Sequence, residues 1–177
     1  MKKIINQTAI LAFLMSFSFS VFGQEGYDIV EKGGQVPTFT INAEEGVSLS
    51  MEDFDGNVVL INFFATWCGP CLKELPFLQK DVWEKYKDKS NFQMLAIGRG
   101  HSYAEVAAFQ ESRNLGFPMY GDEDKTIYSK FATGFIPRNY VVDKNGQIVY
   151  ASVGFSEEEF EKMLNLLDQL IAEGGDD

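Results

Sequence analysis

Histidine and cysteine are scarce in this chain: one His, at position 101, and two Cys, at 68 and 71, among 177 residues. A structural zinc site needs four ligands, and one Cys-x-x-Cys supplies two with no second pair to complete it. No metal site is therefore expected, and no cofactor is implied. Basic side chains are also few, 15 Lys and Arg against 26 Asp and Glu. Such a surface repels polyanions, which excludes nucleic acid as a partner. Beyond residue 22 no apolar run approaches the roughly 20 residues that a membrane span needs. Internal repeats, linkers and a second hydrophobic unit are missing too, so a single domain is expected. Aromatics, by contrast, are abundant, with 16 Phe and 7 Tyr inside a 45% hydrophobic composition. That is ample material for a packed core and argues against disorder.

The start of the chain reads differently from the rest. Lys2 and Lys3 precede a mostly apolar run from Ala9 to Phe22, and Val21 and Gly23 are small enough for a cleavage site. Residues 1–23 are thus expected to be a secretory signal peptide, cut near Gly23–Gln24. An uncleaved anchor is the alternative, and the run of about 14 apolar residues is short for one. No cysteine lies near the junction, which argues against a lipid-modified N-terminus. The expected location is periplasmic or otherwise exported. Without the two leader lysines, 13 of the 15 basic side chains remain against the same 26 acids, a formal charge of −13 in place of −11. The acids of "SEEEFE" and "EGGDD" read as solvated surface charge.

Residues 24–35 show little periodicity and form a lead-in; the domain proper is expected over 36–174. "VPTFTI" and "VSLSM" alternate around "NAEEG", which predicts a β-hairpin over Val36–Ile41 and Val47–Met51. "NVVLINFFA" and "NFQMLAIG" are nearly continuous apolar runs, the pattern of strands covered on both faces. Between them a helix is predicted over Cys68–Lys87, kinked by Pro76. A helix over Tyr103–Asn114, a short strand near Phe117–Tyr120 and a helix over Lys125–Ala132 follow. "RNYVVD" and "QIVYASVG" flank an Asn-Gly turn and predict a hairpin. The last helix starts at Ser156, with Glu159 completing a capping box. Its Phe160, Met163, Leu164, Leu167, Leu170 and Ile171 share one face, which should dock on a sheet. This order describes an α/β layer fold, with parallel pairing between the first two buried strands. Ligands of such sheets sit at the carboxyl ends of strands, where "ATWCGPC" lies.

Both cysteines fall in "FFATWCGPCLKELP". A purely structural disulfide is compatible with an exported protein, but a bridge this short constrains the unfolded chain little. The redox reading uses every neighbour. Cys68 at a helix N-terminus is favoured as a thiolate nucleophile. Cys71, one turn on, is the shielded resolving thiol. Gly69 leaves room for an incoming sulfur, Pro70 sits in the first turn where its missing N–H costs nothing, and Trp67 forms an apolar wall. Exchange then proceeds by attack of Cys68, a mixed disulfide and release by Cys71.

"WCGPC", with Pro76 five residues beyond, resembles the active site of thioredoxin. The longer pattern "VPTFTI…VSLSMEDFDGNVVLINFFATWCGPCLKELP…GFIPRNYVVDKNGQIVYASVG" resembles the TlpA/ResA-like branch of extracytoplasmic thioredoxin-fold proteins, over about Val36 to Leu170. The resemblance implies a thioredoxin fold: a central mixed sheet flanked by helices, with an N-terminal hairpin and a central helix–strand insert at roughly Tyr103–Tyr120. It implies a cis Ile136–Pro137 peptide facing the sulfurs, with the Ile136 backbone open to an extended partner segment. It also implies reduction of disulfides in exported proteins such as apocytochrome c, with a membrane thiol-electron donor.

Two departures from thioredoxin stand out. Asn62 replaces its buried Asp, and the resemblance implies Glu74, three residues after Cys71 on the same helix face, as the candidate proton acceptor for Cys71. The alternative for Glu74 is a first-turn acid favoured by the helix dipole. Arg99, His101 and Arg138 bring cations toward the carboxyl edge, where they would lower a thiol's pKa; the alternative is exposed loop residues. Two rival functions stay open. A peroxiredoxin-type thiol peroxidase needs Thr-x-x-Cys, whereas Thr66 stands only two residues before Cys68. A non-catalytic binding module would keep the fold without the exchange.

Overall fold

The computed structural model describes residues 27–44 and 47–174; the leader expected over 1–23 lies outside them. The main sheet has five strands in the order β5-β4-β3-β6-β7, and β1 and β2 form a separate antiparallel pair. β1 spans Thr40–Glu44 and β2 Val47–Ser50. The hairpin is thus the expected one, with its first strand starting four residues later than Val36.

β3 (Val58–Phe64) is buried at every position, as its unbroken apolar run requires. It pairs in parallel with β4 (Phe92–Arg99) and antiparallel with β6 (Arg138–Val142). β6 continues through a turn into β7 (Ile148–Val153), the second expected hairpin. In that turn the Asp143 carboxylate accepts the Asn145 and Gln147 N–H groups, and Gly146 takes the positive φ of 76°. β5 (Met119–Asp122) adds a parallel edge strand to β4, so the central insert supplies both a helix and the sheet edge.

The pleat of β3 sorts side chains into two cores. Val58, Leu60 and Phe64 pack in one cluster with side chains of the helices Gly69–Phe77, Tyr103–Arg113 and Glu157–Glu173, while Val59, Ile61 and Phe63 pack with Phe39, Phe131 and Tyr140 on the other face. α1 spans Gly69–Phe77, and the chain continues as a widened turn over Leu78–Trp83 before α2, Glu84–Tyr86. The expected kink at Pro76 is therefore spread over a π-helical segment. Pro76 has no N–H to return to the preceding turn, and the ladder beyond it shifts to longer bonds, Glu84 N–H reaching the Gln79 carbonyl.

α3 (Tyr103–Arg113) is capped by Ser102 and Glu105 and ends on Asn114 in the left-handed region. It presses so closely on the sheet that a Cβ on Gly98 would lie 2.6 Å from Val106. The helix expected over Lys125–Ala132 is not formed; one short turn, Tyr128–Lys130, takes its place. The buried Asp122 carboxylate claims the Ile127 and Tyr128 N–H groups, and Lys125 adopts φ 58°. Both stop a longer helix, because backbone donors are spent and the chain leaves right-handed geometry.

α4 (Glu157–Glu173) closes the domain, with Phe160, Met163, Leu167 and Ile171 buried and Leu164 and Leu170 half-buried. Ser156 accepts the Glu159 N–H at 3.2 Å. The reciprocal half of the expected capping box is absent, since the Glu159 carboxylate pairs with Lys162 at 2.6 Å. Leu167 is fully buried, and its truncation to Ala is expected to cost about 2–5 kcal/mol. A urea unfolding midpoint checks this; an unchanged midpoint would mean that α4 carries no core.

Candidate active site

β3 delivers the chain to the sheet's carboxyl edge, where Ala65–Trp67 turn into α1. The Cys68 N–H donates to the Ala65 carbonyl at 3.1 Å, and Cys68 itself is the helix N-cap in extended conformation. Its Sγ accepts the Cys71 N–H at 3.2 Å. A helix N-terminus offers free N–H groups and a positive dipole end, so negative charge on this sulfur is stabilised. Pro70 occupies the first turn, as its chemistry favours. The two sulfurs are bonded to each other. Cys68 is 5% exposed and Cys71 not at all, so an incoming sulfur meets Cys68 first. A Cβ on Gly69 would find nothing within 4 Å, which leaves the approach open. Trp67 stands 68% exposed beside the pair.

Opposite the sulfurs, Ile136–Pro137 is cis. The Ile136 carbonyl oxygen lies 3.7 Å from Cys68 Sγ, which brings together two segments 68 residues apart.

Glu74, three residues beyond Cys71 on α1, is 1% exposed. Burial pushes its carboxyl up to about 7, against the lowering effect of hydrogen bonds from Asn139 and Asn62. Asn139 Nδ2 donates to Oε1 at 2.6 Å, and Asn62 Nδ2 donates to Oε2 at 3.0 Å and to Asn139 Oδ1 at 2.8 Å. Asn62 and Asn139 face each other directly across β3 and β6. Asn62 Oδ1 is buried without a partner. Sequence reasoning found Asn62 and Glu74 but missed Asn139. The available signal was a polar residue at an inward position of the apolar strand "RNYVV".

Of the three expected cations, His101 lies against the turn that leads to Cys68, while Arg99 and Arg138 contact other groups. His101 is buried; its Nε2 accepts the Thr66 N–H at 3.2 Å, with the Thr66 hydroxyl at 3.4 Å and Glu105 3.7 Å from Nδ1. It braces the turn just before Cys68. Arg138, 1% exposed, lies on the opposite face of β6 from Asn139, bonded to Asp28, Gly134, Phe135 and Tyr140. Strand alternation turned it away from the sulfurs, because adjacent residues of a strand point to opposite faces. Arg99 stacks on the Tyr128 ring at 4.6 Å. Among the described residues no three His, Cys, Asp or Glu side chains gather as a metal site.

A joined Cys-x-x-Cys seated in this way on this sheet defines a class of protein, the thioredoxin-like thiol–disulfide oxidoreductases. The chain belongs to the AhpC/TSA family, whose model matches residues 33–151, and within that fold its relatives are ResA-like. The thiol-disulfide oxidoreductase ResA of Bacillus anthracis is 30% identical over 127 residues, 72% of each chain. That of Bacillus subtilis is 24% identical across 94% of each. Among solved structures, a candidate protein disulfide isomerase from Bacteroides thetaiotaomicron superposes with TM-score 0.79 at 35% identity, covering 84% of this chain and 94% of its own. A candidate thiol:disulfide interchange protein DsbE from Chlorobium tepidum gives 0.64 at 25% identity, over 82% and 98%.

Proposed function

We propose that this oxidoreductase is exported and works as a reductase of disulfides in extracytoplasmic proteins, apocytochrome c among them. The observation that carries the reading is the position of Cys68 Sγ, at a helix N-terminus and 3.7 Å from the Ile136 carbonyl. A substrate strand running past Ile136 would bring its own disulfide onto the attacking sulfur. The Cys68 thiolate attacks one substrate sulfur, whose partner leaves as a thiolate. Cys71 then attacks Cys68 Sγ in the mixed disulfide, and the second substrate sulfur departs. The protein is left with Cys68 bonded to Cys71, the form seen here. Two electrons from a membrane thiol donor restore the dithiol.

Glu74 takes the Cys71 proton during resolution, a role suited to a buried carboxyl raised to about 7. The direction of flow is supported by Gly69-Pro70 between the cysteines, as in thioredoxin at about −270 mV, in contrast to the oxidant DsbA at about −120 mV. Export is supported by the positive start and apolar run of residues 1–23.

Reduction of insulin and of an oxidised Cys-x-x-Cys-His peptide, driven by dithiothreitol, tests the reading. Both are expected to run well above the dithiol background, and a potential near −270 mV is expected for the pair. A rate at background would reject enzymatic reduction. Fast peroxide consumption dependent on Cys68 would favour the thiol peroxidase instead.

A further inference from the structure

Arg138, an arginine expected near the sulfurs, instead holds the loop that faces them. Phe135, just before Ile136, adopts φ 64° and is 54% exposed. A bulky residue in the left-handed region is an outlier that persists only where its surroundings impose it. The imposing groups are visible. The Phe135 carbonyl accepts from the Tyr128 hydroxyl at 2.8 Å and from Arg138 Nε at 3.1 Å. The Gly134 carbonyl accepts from Arg138 Nε at 2.9 Å and Nη2 at 2.8 Å.

The lead-in completes this clamp. Asp28 pairs with the Arg138 guanidinium, which is otherwise buried among neutral groups. The Tyr27 carbonyl accepts the Thr133 N–H at 2.8 Å, and Ile29 N–H donates to the Phe131 carbonyl at 2.9 Å. The Tyr27 ring meets Phe135 edge-on at 4.8 Å, and a Cβ on Gly134 would come within 2.8 Å of that ring. The lead-in expected from the sequence is thus ordered and fastened to the loop that faces the sulfurs.

We infer that Tyr27 and Asp28 are positioning residues for the binding of polypeptide disulfides: through Arg138 and Phe135 they hold the Gly134–Ile136 segment against which the substrate chain pairs. The inference rests on the reading of Ile136 as the partner-binding edge. It separates two tasks, since sulfur chemistry stays with Cys68, Cys71 and Glu74 while the lead-in governs how an extended chain is gripped.

Tyr27→Ala and Asp28→Asn test this, with Ile29→Ala as control; Ile29 is 53% exposed and its side chain is not used in the clamp. Amide hydrogen exchange over residues 132–138 is expected to accelerate about tenfold in both variants and to stay unchanged in the control. KM for a disulfide-bonded peptide is expected to rise about fivefold, with kcat, the rate on hydroxyethyl disulfide and the reduction potential unchanged. Unaltered exchange would overturn the inference, and so would an equal loss on the peptide and the small disulfide. Should Asp28→Asn fail to fold because Arg138 loses its counter-charge, Tyr27→Ala, on a half-exposed side chain, decides. If the unaltered protein reduces neither substrate, the proposed function fails, and the exchange measurement still settles the clamp.

Discussion

Cys68→Ser is expected to lower dithiol-driven insulin reduction to background, at least about a thousandfold, the scale on which loss of an enzymatic nucleophile is felt. Cys71→Ser should fail differently, by stranding the protein as a mixed disulfide with its substrate. The asymmetry follows from the seat of each sulfur. Cys68 caps α1, accepts the Cys71 N–H at 3.2 Å and is the sulfur beside the Ile136 carbonyl. Its thiolate is stabilised before any substrate arrives. Cys71 is fully buried and can reach only a sulfur already bound to Cys68. A non-reducing gel with mass spectrometry of the adduct tells the two apart. Adduct formation by Cys68→Ser, or its absence in Cys71→Ser, would reverse the assignment of attack and resolution.

Glu74→Gln carries the second large effect, in stability and in rate. The folded-state carboxyl lies at about 7 against an ordinary 4.5, so the native protein holds this proton more tightly than the unfolded chain. The associated stability is fully present below about pH 4.5 and is lost as pH rises through 7. Above pH 7 the penalty of keeping the ionised carboxylate buried reaches about 3 kcal/mol. Gln carries no charge at any pH, so the variant should escape this loss. It forfeits some hydrogen bonding, because its amide nitrogen must face one of the two Asn donors. Urea midpoints measured from pH 4.5 to 8 should therefore fall for the unaltered protein and stay level for the variant.

The same substitution should slow resolution of the mixed disulfide and shift the Cys71 titration. Parallel stability curves would show that Glu74 does not titrate in this interval. Identical rates from pH 5 to 9 would remove it from the mechanism.

The pattern of what could be read in advance follows the range of the interactions involved. β3, β4 and α4 were legible because burial on both faces, or on one helical stripe, writes itself into consecutive residues. The helix expected over Lys125–Ala132 is not formed because the side chain of Asp122, from outside the segment, takes the Ile127 and Tyr128 N–H groups. Arg138 and Asn139 are neighbours in sequence, yet one grips the lead-in and the other grips Glu74. Only the pleat of β6 decides which, and its phase is set by pairing with β3.

The cysteine pair and its place at a helix start are written in the local chain. Two cysteines three apart, entering a helix after a buried strand, bring their sulfurs together with contacts no longer than one helical turn. The cis Ile136–Pro137 peptide was anticipated through family resemblance and not through local physics, since X–Pro bonds in folded proteins are mostly trans. The tertiary structure alone decided what surrounds the pair: Asn139 reaches Glu74 across 65 residues and Asp28 reaches Arg138 across 110. Helix geometry is local and can be counted along the chain. Sheet register and strand facing are collective, and they come into being only when distant segments pack.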